Sequence, residues 1–154
     1  MTRSVLKTAA LGVAALAVFA AAYVAIQLRS QTILQTRYPL PPTAGRAAAT
    51  PEAVAEGGHL VQVAACSLCH GRRLTGQMLG IGGSPVYAPN LTLIARRRTD
   101  AELDRAIRSG LRRDGTSEIG MPSHVYRRFT DAETAAIIGY LRSLKPEGSL
   151  APPQ

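Results

Sequence analysis

Two thiols and an imidazole stand within five residues, Cys66-Ser67-Leu68-Cys69-His70, and the chain has no further cysteine. Thiols three positions apart on a short helical turn can each form a thioether to one vinyl group along an edge of a haem, and the adjacent histidine then lies under the iron as proximal ligand. The competing chemistries ask for more than the chain offers. A disulfide between Cys66 and Cys69 would close a tight, strained loop. A thioredoxin-like pair wants a βαβ context, and a zinc site wants about four ligands. There is no second pair of cysteines, only His59 and His124 as further imidazoles, and no strand-rich region ahead of the motif. The motif therefore predicts one covalently bound haem c, held by Cys66 and Cys69 with His70 as an axial ligand.

A haem iron that exchanges electrons with little rearrangement needs a sixth ligand, commonly a methionine thioether, which raises the reduction potential. Of the three methionines, Met1 falls on the wrong side of the predicted membrane segment, and Met78 follows His70 by only eight positions in the same connecting loop. Met121 follows by 51 positions, in a Gly120-Met121-Pro122 loop between two predicted helices, where Pro122 holds the backbone before it extended and Gly120 gives it room. Elimination assigns Met121 as the second axial ligand. The alternatives are Met121 as a gap-filling core residue, and His124 or His59 as the sixth ligand.

The elements that must position these groups are legible in part. Residues 1–8 form a basic N-terminus. Ala9 to Leu28 is a run of about 20 residues broken only by Gln27, enough at about 1.5 Å per residue to cross a hydrocarbon core of about 30 Å. Ala20-Ala21-Ala22 would suit a signal peptidase, but Tyr23-Val24-Ala25-Ile26 continues the apolar run, so the expectation is an uncleaved single-pass anchor. Arg29 and Arg37 follow it nearly as closely as Arg3 and Lys7 precede it, so charge orients it only weakly. Because c-type haem is attached after export, the expected topology is N-terminus inside and haem domain outside.

Residues 29–50, with Pro39, Pro41 and Pro42, read as an extended tether that forms no core. Thr50-Pro51-Glu52 opens a helix that should run to about Ala65 and deliver the cysteines. From Gly71 to Arg98, Gly76, Gly80, Gly82, Gly83, Pro85 and Pro89 interrupt any helical or alternating period, as expected of chain wrapping a flat cofactor. Thr99-Asp100-Ala101-Glu102 and Thr130-Asp131-Ala132-Glu133 are capping boxes, opening amphipathic helices over about 100–111 and from 131 to Leu144. The haem domain is thus expected over 51–146, with a flexible tail over 147–154.

Composition bounds the rest. The chain has 154 residues with two phenylalanines, five tyrosines and no tryptophan, a thin apolar core that a haem would complete. Of its net charge of +8, five Lys/Arg and no acid fall in residues 1–46, leaving 13 against 10 in the remainder. A nucleic-acid-binding domain would concentrate the excess on its folded part, so the charge points to a membrane-proximal basic segment and to lipid rather than nucleic acid. Arg96-Arg97-Arg98 has no aromatic interleaving and reads as loop solvation or headgroup contact.

Cys66-Ser67-Leu68-Cys69-His70, Ala88-Pro89-Asn90-Leu91-Thr92, Gly110-Leu111-Arg112-Arg113-Asp114-Gly115-Thr116, Met121-Pro122 and Tyr140-Leu141-Arg142-Ser143-Leu144 resemble, in this order, the signatures of class I c-type cytochrome domains. The pattern is similar to the cytochrome subunits of membrane-bound bacterial alcohol and aldehyde dehydrogenases, which typically carry three haem domains where this chain has one motif. The resemblance covers about residues 52–146. It implies an all-α fold with first and last helices crossing near Gly57 or Gly58 and Tyr140, Pro89 accepting a hydrogen bond from His70, and Leu91 packing on the haem. With both axial positions filled and no nucleophile–base pair or second metal cluster in the sequence, the expectation is an electron-transfer protein rather than an enzyme, with no small-molecule substrate. Expected partners are acidic or membrane-bound redox proteins, met transiently or as stable complex subunits, with Arg72, Arg73, Arg127 and Arg128 forming a positive collar. The other reading is a five-coordinate haem that binds gas or peroxide.

Overall fold

The computed structural model describes residues 3–43 and 46–152. Expectations that fall on residues 1–2, 44–45 and 153–154, including the position of Met1, lie outside the described residues. The chain divides into two units, Met1–Arg37 and Tyr38–Gln154.

The first unit is one helix, α1 (Arg3–Gln35), 33 residues long. Its apolar side chains are exposed along its length, as for a helix whose solvent is lipid, and Val5–Gln35 has a mean hydropathy of 2.3 over its most apolar window. The helix continues through residues 29–35, which the sequence reading gave to an extended tether. No proline or glycine interrupts the chain between Gly12 and Pro39, and the Thr32 and Thr36 hydroxyls donate to the carbonyls of Leu28 and Thr32.

In the second unit, α2 (Pro51–Val63) and α7 (Asp131–Ser143) cross in backbone contact. A Cβ on Gly57 would overlap the carbonyl of Ala136, and one on Gly58 would meet the ring of Tyr140 at 3.0 Å. Glycine at these two turns is what lets the helices approach, and the core of Leu60, Val61, Leu103, Ile107, Ile137, Ile138 and Leu141 condenses beside the crossing. Both expected caps on the longer helices form: the Ala53 amide donates to Thr50 Oγ1, and Thr130 and Glu133 make a reciprocal capping box. The third cap, Thr99 with Glu102, opens α5 (Asp100–Asp104).

The remaining elements are α3 (Cys66–His70), a two-stranded antiparallel hairpin of β1 (Gln77–Ile81) and β2 (Ser84–Ala88), α4 (Leu91–Arg97) and α6 (Ser123–Tyr126). The hairpin and α4 occupy the stretch read as aperiodic loop, because Gly82-Gly83, both at positive φ, make the turn and Asn90 caps the helix by accepting from the Thr92 amide. Arg96 and Arg97 fall in the last turn of α4, where cations complement the helix dipole. The helix expected over 100–111 changes at Arg105 to a π turn, Arg105–Ser109, closed by Gly110 in the left-handed region.

Residues 46–48 also depart from the tether. The Ala47 amide donates to Asp100 Oδ2 at 2.8 Å and the Ala48 amide to the Ala135 carbonyl at 2.9 Å. The carbonyl of Ala48 lies where a Cβ on Gly139 would be. Tyr38 is already tied to the unit, its amide donating to the Gly115 carbonyl at 2.9 Å. The far end behaves likewise: the carbonyls of Glu147 and Ser149 accept from Asn90 Nδ2, so the tail read as flexible from 147 is latched through 149.

Asp100 is the clamp of this arrangement, bonded to the Ala47 amide and to the Arg142 guanidinium, which also reaches the carbonyls of Ala95 and Arg98. Partial burial pushes the Asp100 carboxyl up, but the Ala47 amide, Arg142 and Arg46 together hold it below its ordinary value of 3.8. Its contribution is therefore complete above that value and is lost as pH falls from there through the depressed folded value. Asp100→Asn should unfold about 1–2 kcal/mol more easily at neutral pH, with a difference from the parent that shrinks at acid pH, checked by denaturant titration across the two pH ranges.

Candidate functional site

Helix α2 ends at Val63 with Ala64 as its C-cap, and the chain turns into α3 through Ala65, which holds φ 55°. Leu74, four residues past the motif, holds φ 59°, and these are the two non-glycine residues at positive φ among the described ones. Left-handed backbone at a residue with a Cβ costs about 1–2 kcal/mol, so the strain is concentrated on either side of Cys66–His70. The segment is fixed by hydrogen bonds from the Leu74 amide to the Gly71 carbonyl and from the Gly76 amide to the His70 carbonyl, both at 2.8 Å.

Cys66 and Cys69 are half-buried and are not joined to each other as a disulfide. Burial, with the nearby Cys69, pushes the Cys66 thiol up from its ordinary value. Tyr126 of α6 donates its hydroxyl to the Ala64 carbonyl at 2.8 Å, and burial, with the charge of the two cysteines, raises its pKa. His70 Nδ1 lies 2.8 Å from the Pro89 carbonyl. A carbonyl can only accept, so Nδ1 carries the proton and Nε2 presents a lone pair. Burial lowers the pKa of the ring against the opposing pull of Pro89 and Glu118, so at neutral pH the imidazole is in the neutral form that binds metals.

Pro89 is held from behind. Asn90 is fully buried: its Oδ1 accepts from the amide and hydroxyl of Thr92, and its Nδ2 donates to the latched tail. The next amide, of Leu91, donates to the Leu74 carbonyl at 2.8 Å, and the Leu91 side chain is half-buried against the core. Sequence reasoning named Pro89 and Leu91 and passed over Asn90 and Thr92, whose spacing is itself a side-chain turn signal.

Met121 is half-buried and packs against the core. Its carbonyl accepts from the Ser123 amide at 2.8 Å across Pro122, which has φ −80° and ψ 53°, an inverse γ-turn. Ser123 is buried and donates its hydroxyl to the Ala106 carbonyl in the π turn. Met78 sits on the hairpin, paired opposite Tyr87, on the face away from Gln77, whose amide donates to the Leu68 carbonyl at 2.6 Å. His59 and His124 are exposed. Arg72 and Arg73 line a cavity of about 360 Å³ with Lys145 and Glu147, and Arg73 pairs with Glu147. Arg127 lines another, of about 530 Å³, with Asp104, Arg108 and Asp131.

The donor set fits a haem c: two thiols spaced for vinyl groups, a neutral imidazole with its tautomer fixed, and half-buried apolar side chains around them. The cytochrome c family model matches residues 54–145. The chain belongs to the cytochrome c family. Comparison with curated proteins and with solved structures returned no match. The cytochrome's Cys66–Cys69 spacing is that of covalent haem c attachment, and its role is that of a non-catalytic electron carrier. Its apolar N-terminal helix is consistent with a single-pass membrane anchor.

If the strain before Cys66 is as the backbone shows, Ala65→Gly should stabilise the folded protein by about 1 kcal/mol, measured by denaturant unfolding at equal haem content.

Proposed function

We propose that the chain is a membrane-anchored monohaem cytochrome that carries single electrons between respiratory-chain components on the outer face of a bacterial cytoplasmic membrane. The observation that carries this reading is the aimed His70: the Pro89 carbonyl holds Nδ1–H at 2.8 Å and leaves Nε2 as the ligand atom. Cys66 and Cys69 bond covalently to the haem, which when bound supplies a one-electron iron couple. Met121, on a loop fixed through Ser123, would supply the thioether sulfur as the iron's other protein ligand, and Leu91, half-buried nearby, would give the haem an apolar neighbour. With both axial positions filled by the chain, no open site is left for a small substrate, which argues against the gas or peroxide alternative. Export before haem attachment puts the haem domain outside.

The partner is proposed to be an acidic redox protein, met on the face where Arg72 and Lys145 flank the cavity beside the attachment turn; steering of this kind falls as salt rises. A second reading, a fixed haem subunit of a larger membrane oxidoreductase such as a dehydrogenase complex, gains from one observation. Between the end of α1 at Gln35 and the first tie within the haem domain at Tyr38 only two residues remain, far fewer than the 22-residue tether that would have supplied reach.

Two measurements test these readings. Met121→Ala should abolish the weak sulfur-to-iron(III) charge-transfer absorption and allow rapid carbon monoxide binding to the reduced protein, with haem still attached; a parent protein already lacking that absorption would overturn the assignment of Met121. Solubilised from native membranes in mild detergent, a carrier elutes alone, whereas a fixed subunit elutes with partner polypeptides and their haems or flavins.

A further inference from the structure

The hairpin of β1 and β2 touches the chain near both His70 and Met121. At its root, Gln77 donates to the Leu68 carbonyl inside the attachment turn, and β2 runs through Ala88 directly into Pro89, the partner of His70. At its other end Ile81 reaches the Gly120 backbone, its Cδ1 lying 2.8 Å from where a Cβ on Gly120 would stand, next to Met121. Strands of five residues span about 14 Å from first to last Cα, so one short element connects the surroundings of both proposed axial ligands.

Register fixes which side chains share a face, and on the face of Leu79 and Val86 the end residue Ile81 is partly exposed, at 39%. Gln77, Leu79 and Ile81 share one face of β1 with Ala88, Val86 and Ser84 opposite them, while Met78 and Gly80 share the other with Tyr87 and Pro85. Leu79 and Val86, midway along their face, are half-buried yet outside the core cluster. A lone two-stranded hairpin is marginal in water and needs an apolar surface to lie against.

We propose that this hairpin is a brace across the open edge of the haem, with Ile81 a positioning residue that holds the Gly120-Met121 loop closed and keeps the methionine sulfur on the iron. The inference rests on the assignment of Met121 as axial ligand. Leu79 and Val86 would give the haem an apolar neighbour, and Ile81 would hold the far end. Gly120 holds φ 84°, which calls for glycine on its own account, and a side chain there would also meet the Ile81 Cδ1. The brace limits how often the sulfur leaves and how much water reaches it, and both effects keep the potential high.

Ile81→Val removes the one contacting methyl, and Ile81→Ser removes the apolar side chain altogether; Met78→Leu, on the opposite face, is the control. Carbon monoxide enters only when the sulfur is off, so its observed association rate with the reduced protein reports the open fraction. Relative to the parent, the rate should rise a few-fold in Ile81→Val and about tenfold or more in Ile81→Ser, with a lowered reduction potential and unchanged covalent haem content, while Met78→Leu stays at the parental rate. Parental rates and potentials in both Ile81 variants would overturn the brace while leaving Met121 as ligand. A parent protein that lacks the sulfur-to-iron(III) absorption and binds carbon monoxide at the full rate would overturn both.

Discussion

The close crossing of α2 and α7 is the constraint on which the rest of the cytochrome unit depends. Gly57 lies against the Ala136 backbone with no room for a methyl group, so two helix axes approach as nearly as their main chains allow. What α2 delivers at its C-terminal end is the attachment turn. What α7 delivers is Arg142, which gathers Asp100 and two carbonyls of the chain around α4, and a backbone on which Ala48 rests. A small-residue contact at one point thereby sets where the thiols, the imidazole and the Pro89 carbonyl meet. The apolar core is modest because it only has to stabilise this crossing; a covalently bound haem adds the remaining apolar mass.

Polar side chains do the finer positioning, and each works on backbone. Asn90 holds Thr92 and the tail, which steadies Pro89; Ser123 ties Met121's loop to the π turn; Tyr126 fixes the end of α2. In the π turn, Arg108 is bound by both oxygens of the buried Asp104 and by Asp131 at the start of α7, so the irregular segment is locked at both ends. The strain before and after the attachment turn is sustained because surrounding hydrogen bonds over-determine it.

The chemistry was the part most legible in the sequence, because attachment needs particular atoms at a particular spacing and Cys66, Cys69 and His70 satisfy no other simple site. Caps were equally readable, since Thr50, Thr99 and Thr130 bond within four residues of themselves. The hairpin was not: glycines and a proline hid its alternation, and its register depends on where its two ends are held rather than on its own side chains. Nor was the strap at residues 46–48, whose pattern of small residues looks like linker until Gly139 and Asp100, about ninety and fifty positions away, supply its partners.

That strap separates two notions of a domain. The family pattern starts at residue 54, but the folding unit starts at Tyr38, because the residues between close the groove over α7 and occupy the Asp100 clamp. What recurs among cytochromes is therefore smaller than what this chain must keep together. A soluble haem domain cut at the first recognisable helix would begin with an unfilled notch at Gly139 and a carboxylate missing its backbone donor, whereas one cut just before Tyr38 would carry its own plug.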